Sequence, residues 1–173
     1  MQYFFECGHF VSLSIAELSA VLESYSFSKD SINKVSDTVV VVDNNDITPS
    51  QADRIFNRLG GFVRYGEVVE DLESFLKPYY DGDRVVFGIS SLGDTGISLK
   101  DIQILSNDIK RNFRKADISS RFLLPKKDEL NAAQIINNDM LEKGFELCIF
   151  DTSLGRLYGK TRGIQNIDAF VKR

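Results

Sequence analysis

Four consecutive β-branched residues, Val39-Val40-Val41-Val42, constrain this chain more than any other stretch. Each valine crowds the preceding turn of a helix but packs well on a pleated surface, so the run is a strand. Its flanks extend the reading. Asp43-Asn44-Asn45-Asp46 forms a turn, and Thr48 caps a helix that has Pro49 at its first position and Gln51 at its third. Ile55, Phe56 and Leu59 make the apolar face of that helix, Gly60-Gly61 ends it, and Phe62–Val69 returns as a strand. Upstream, residues 2–8 alternate as a strand that Gly8-His9 closes. Ser14 and Glu17 have capping-box spacing, with Ile15, Leu18, Val21 and Leu22 at helical intervals behind them. The polar stretch Ser26–Lys34 leaves room for a short, irregular strand or a loop. The resulting order is β-α-(β)-β-α-β, the split βαβ or ferredoxin-like arrangement, which carries no function of its own.

Beyond residue 70 the pattern changes. Asp71–Asp83 is acidic, with a short amphipathic piece from Leu72 to Tyr80 broken by Pro78, and reads as a junction between two lobes. Val85–Ser90 is a strand, Leu92–Gly96 a loop, and Ser98 with Asp101 caps a helix whose buried stripe is Ile102, Leu105, Ile109 and Phe113. Ser119–Leu124 is a further strand. Asn131 and Gln134 cap a short helix, Phe145–Asp151 and Arg156–Thr161 make a hairpin about Ser153–Gly155, and an exit helix follows. Alternating strands and helices predict a partly parallel sheet here. The fold class is therefore α+β, with residues 1–70 as a ferredoxin-like lobe and residues 71–173 as a second α/β lobe.

The 173 residues suffice for one large domain or two small ones, and 43% hydrophobic with 27% charged residues is ordinary for a globular chain. No apolar run reaches the roughly 20 residues that span a bilayer, and with no basic region or cleavage-like site around Tyr3-Phe4-Phe5-Glu6 no signal peptide is expected. Cys7 and Cys148 both sit in apolar strand-like runs, which predicts two buried reduced thiols and a cytoplasmic protein.

Several chemistries fail on spacing. Gly159-Lys160-Thr161 resembles the end of a phosphate-binding loop, but that motif needs a glycine where Leu154 stands. His9, the only histidine, has Cys7 near it but no third, orienting group. Asp43, Asn45 and Asp46 lack the later glycine and glutamate of a calcium loop.

Charge is unevenly spread. Residues 1–106 hold 8 Lys+Arg against 16 Asp+Glu, a balance of −8, while residues 107–173 hold 13 against 9, a balance of +4. Arg111, Arg114, Lys115, Arg121, Lys126, Lys127, Arg156, Lys160 and Arg162 fall near helix ends, strand ends and loops. Such cations supply affinity for RNA by releasing counterions from its phosphates. Gly159 and Gly163 flank Lys160 and Arg162 and would let a ligand approach the backbone, and Tyr158 could stack a base. A protein-interaction or ligand-sensing module is the alternative reading.

Leu130-Asn-Ala-Ala-Gln-Ile-Ile-Asn137, Lys143-Gly-Phe-Glu-Leu147 and Gly159-Lys-Thr161, with Ile164, Gln165 and Phe170, resemble the end of a THUMP domain. Phe56-Asn-Arg-Leu-Gly-Gly61, Tyr65-Gly66-Glu67 and Phe4-Phe5-Glu6-Cys7-Gly8 extend the resemblance over nearly the whole chain. It is similar to the front half of the tRNA guanosine N2-methyltransferases that act on the guanosine at position 10 of tRNA. The resemblance implies a tRNA-binding THUMP-like lobe behind a ferredoxin-like one, gripping the 3′ acceptor end. It also implies a separate methyltransferase domain, in cis or in trans, which would carry the S-adenosylmethionine loop and an Asn/Asp-Pro-Pro-Tyr motif. This chain contains no Pro-Pro pair, so no cofactor and no catalytic residue is expected within it.

Overall fold

In a computed structural model that describes residues 1–166, all the strands form one sheet. The first half runs β1 (Gln2–Cys7), α1 (Val11–Ser24), β2 (Ile32–Lys34), β3 (Val39–Asp43), α2 (Pro49–Arg58) and β4 (Phe62–Val69). The second runs α3 (Leu72–Leu76), β5 (Arg84–Ser91), α4 (Leu99–Lys115), β6 (Ser119–Leu123), α5 (Ala132–Asn137), β7 (Gly144–Thr152) and β8 (Gly155–Ile164). Strand order is β2-β3-β1-β4-β8-β7-β5-β6. The first four strands are mutually antiparallel in the ferredoxin-like order, while β5 pairs in parallel with both β6 and β7. The α+β class read from the sequence is the class of the structure. The exit helix expected after the hairpin lies outside the described residues.

Local chemistry fixes the helix starts. Thr48 and Gln51, Ser98 and Asp101, and Asn131 and Gln134 each form a reciprocal capping box, as their spacing predicts. The box expected at Ser14 and Glu17 does not form. Helix α1 begins earlier, at Val11, without a side-chain cap. Both residues serve a longer-range purpose: Ser14 Oγ donates to the Gly61 carbonyl, and the Glu17 carboxylate accepts the Gly60 and Gly61 amides at 2.8 and 2.9 Å. They hold the turn between α2 and β4 against α1.

Helices α1 and α2 cover one face of the first four strands, with Leu18, Leu22, Ile55 and Phe56 packed on Phe5, Val40, Val42 and Tyr65. In the second half α4 packs Ile102, Ile109 and Phe113 on Phe87, Phe145 and Leu147. The opposite face of β5 and β6 receives α5 through Ile135. Truncating a buried ring such as Phe113 or Phe145 would cost about 3–5 kcal/mol.

Between these cores, Phe4, Val39 and Val41 meet Cys148, Phe150 and Leu92. Glycines make this junction possible. A Cβ on Gly159 would collide with the Phe4 ring, and one on Gly66 with the Lys160 carbonyl. Strands β4 and β8 pair from Arg64↔Ile164 to Val69↔Tyr158, with an irregularity at Tyr65/Gly66, and this pairing joins the two halves of the sheet.

Candidate nucleic-acid interface

Six of the nine cations singled out in the sequence fall along one border of the sheet. Strand β6 is its edge, and α4 packs against it. The exposed Arg114 and Lys115 occupy the last turn of α4, where positive charge complements the helix dipole. Arg111, one turn earlier, faces Asp108 at 3.3 Å across exposed surface. On β6 itself Arg121 donates to Asn138 Oδ1 at 2.7 Å, while Lys110 lies over the Phe122 ring at 5.8 Å. Alternation along the strand accounts for both, since Phe122 faces the α4 core and Arg121 the opposite side. Lys126 and Lys127 follow buried Pro125 into the loop ahead of α5, both exposed. Arg114, Lys115, Lys126 and Lys127 have no ion-pair partner among the described residues.

The other three lie elsewhere and are engaged by the protein. Arg156, beside the β7–β8 turn, donates to Asp151 through Nε and Nη2 at 2.7 and 3.2 Å and to the Thr95 carbonyl at 3.0 Å. Hydrogen bonding from Arg156 holds the Asp151 carboxyl below its ordinary range. Lys160 stands over the Tyr79 ring at 5.4 Å. Arg162 is half-buried and reaches back into the first half, to Asp53 and Glu67, each at 3.0 Å. Tyr65 also donates to Asp53. Asp53 foremost, and then Tyr65, carry the Arg162 guanidinium above its ordinary value against the opposing effect of burial. Tyr158, the proposed stacking residue, is half-buried against the second core.

A charged cluster that the sequence reading missed lies deeper. Arg64 is 2% exposed and donates through Nε to Glu6 at 2.6 Å, through Nη1 to Glu146, and through Nη2 to Glu129 and the Leu130 carbonyl, each at 3.1 Å. Glu6 comes from β1, Glu146 from β7 and Glu129 from the loop before α5, so one guanidinium ties together both halves of the sheet. Burial pulls Arg64 downward, but Glu146 and then Glu6 more than reverse it. A partial signal lies in Glu6 and Glu146, each a lone charge in a mostly apolar strand run, which asks for a buried counter-charge without naming it.

Both cysteines are buried and free. Among the described residues no group of three or more His, Cys, Asp or Glu is placed to hold a metal ion, and no helix is long and apolar enough to cross a membrane.

No family model matches the sequence, and no curated protein matches it. Solved structures do. Over 95% of its length the chain is similar to the crystal structure of PH1313 from Pyrococcus horikoshii Ot3, with a TM-score of 0.54 at 13% identity. It spans about half, 54%, of that chain. A crystal structure of a 4-thiouridine synthetase–RNA complex with bound ATP is matched over 92% of this chain and 40% of that one, with a TM-score of 0.46 at 12% identity.

Proposed function

We propose that this chain is an RNA-binding module of THUMP type, which docks tRNA for an S-adenosylmethionine-dependent guanosine N2-methyltransferase unit acting in cis or in trans. The observation that carries the RNA reading is the cationic border formed by the end of α4, strand β6 and the loop after it. Four of its side chains, Arg114, Lys115, Lys126 and Lys127, are exposed and lack carboxylate partners among the described residues. Phosphate contacts of this kind position a nucleic acid without reading its sequence. The methyltransferase part rests on the sequence resemblance alone. S-adenosylmethionine would bind the catalytic unit, and this chain's part is to hold the RNA.

Arg156, Lys160 and Arg162 play a different role in this reading. Their cationic ends are taken up by Asp151, by the Tyr79 ring and by Asp53 with Glu67, so they shape the protein before they meet any phosphate. The test is a gel-shift titration of tRNA with the intact chain over a range of salt concentrations. Binding that weakens steeply and log-linearly with salt supports the reading. No salt-dependent complex would refute it.

One observation favours the alternative protein-interaction module. Phe10 and Leu13, each 69% exposed, border a groove of about 1110 Å³ with Phe56, Leu59, Phe62 and Ile164. Apolar side chains so exposed around one groove are a recognised mark of a protein contact.

A further inference from the structure

We propose that the Glu6–Arg64–Glu129–Glu146 cluster is a proton-loaded clasp between the two halves of the sheet: near neutral pH it retains one proton, and losing that proton in alkaline solution loosens the β4–β8 joint. The inference does not depend on RNA binding.

Charge counting comes first. Three carboxyl groups converge on one guanidinium, so full ionisation would set three negative charges against one positive and leave two unmatched. Glu6 is 5% and Glu146 0% exposed, so water cannot absorb the excess there. Burying uncompensated charge is costly enough that a group takes up a proton instead. Hydrogen bonding does not relieve the excess: the Glu146 Oε2 atom is buried without a partner, and its Oε1 already receives Arg64 and the Cys148 thiol.

The proton belongs on Glu6. Facing Glu6 are Arg64 from β4 and the Glu129 carboxyl from the loop before α5, which is within hydrogen-bonding reach. Glu146 and Cys148 from β7 face the same guanidinium, Thr161 of β8 lies behind Cys148, and Cys7 is the next residue on Glu6's own strand. A neutral Glu6 can donate to Glu129 while still accepting from Arg64. That arrangement uses the one proton to bridge two carboxyl groups that would otherwise repel. Burial pushes the Glu6 carboxyl up from 4.5 to about 8, with Arg64 opposing and Glu129 reinforcing the rise.

The sign follows. A carboxyl whose folded-state pKa is raised contributes stability that is complete below its unfolded value of 4.5 and is lost as pH climbs through about 8. The loss falls where the sheet is joined, because Arg64, paired with Glu6 across β1 and β4 and with Ile164 across β4 and β8, is the group that ties Glu6 to Glu129 and Glu146 of the second half.

Two measurements on the intact chain test this. Melting temperature should fall by a few degrees between about pH 6 and about pH 9, and amide protection at β4–β8 should fall relative to β2–β3, which does not contain Glu6, in the same sample. In Glu6→Gln, whose amide stands in for the neutral acid, both slopes should flatten while the melting temperature at the lower pH is at least that of the parent, since the amide needs no proton uptake on folding. A flat parent profile, or an unchanged slope in Glu6→Gln, would overturn the clasp. Should Glu6→Gln fail to fold, carboxyl-carbon NMR of the parent decides. One glutamate titrating near pH 8 is expected, and complete titration of every glutamate below about pH 6 would exclude the clasp.

Discussion

Arg162 and Asp53 stand 109 positions apart in the chain yet form a forked ion pair, Nε to Oδ1 at 3.3 Å and Nη2 to Oδ2 at 3.0 Å. With Glu67 on its remaining nitrogen, Arg162 fastens the last strand to α2 and β4. Arg162→Ala should therefore destabilise the chain by about 1 kcal/mol, since charge-assisted bonds at half-exposed sites are worth that order. Urea denaturation measures it. In the same variant the salt dependence of tRNA binding should be unchanged, and a flattened dependence would restore Arg162 to the phosphate-contacting set.

The Asp53 carboxyl gives an acid limb to stability. Burial, the largest influence, raises it, but hydrogen bonds from Arg162 and Tyr65 together carry it below its ordinary 3.8. A depressed carboxyl contributes stability that is present above its unfolded pKa and is lost as pH falls through the folded one. Asp53→Asn should be less stable than the parent at neutral pH and should lose less on acidification. Thermal melts from neutral to acid pH check this, and parallel profiles for the two proteins would contradict it.

Glycine at position 66 is set by backbone proximity. An added Cβ would crowd the Phe4 ring and overlap the Lys160 carbonyl, which cannot withdraw without opening the β4–β8 pairing. Gly66→Ala should cost about 2–3 kcal/mol or more, at the upper end of overpacking penalties. A loss below about 0.5 kcal/mol, the usual range for surface changes, would mean that the joint is more compliant than its geometry implies.

Much of this architecture was legible in the chain itself. The valine run at 39–42, the Thr48, Ser98 and Asn131 caps, and the hairpin about Ser153–Gly155 all obey local rules that a sequence displays directly. What escaped depends on distant partners. Ser14 and Glu17 have the spacing of a helix cap, but the Gly61 carbonyl takes the Ser14 hydroxyl from 47 residues away and the Gly60 and Gly61 amides take the Glu17 carboxylate from 43 and 44. Arg162 has the look of a glycine-flanked phosphate contact, and only the packing of β8 beside β4 and α2 reveals its carboxylates. Arg64 was invisible as a hub because its partners come from three separate segments. The exposure of the cations on α4 and β6 was easier to read, since helix ends and edge strands present their side chains to solvent.

The proposed division into two units at residue 70 has its own test. Limited proteolysis should cut first in the acidic segment Leu72–Asp83 or the Leu92–Gly96 loop. It should spare Val39–Val42, which is buried in the centre of the first half. Cleavage of the valine strand before either segment would contradict the division.

The central claim is that the β6 border binds tRNA through phosphate contacts. The most direct measurement is the log–log salt slope of tRNA affinity for the parent, for Arg114, Lys115, Lys126 and Lys127 all changed to Ala, and for Lys29, Lys34, Arg54 and Arg58 all changed to Ala. Each phosphate contact contributes about −0.7 on single strands and about −0.9 on duplex, so losing four should flatten the slope by about 3. The account expects that flattening, with weaker binding to every tRNA alike, in the first variant and little change in the second. Equal losses in the two variants would mean diffuse attraction to any positive charge, and the β6 border would not be the binding site.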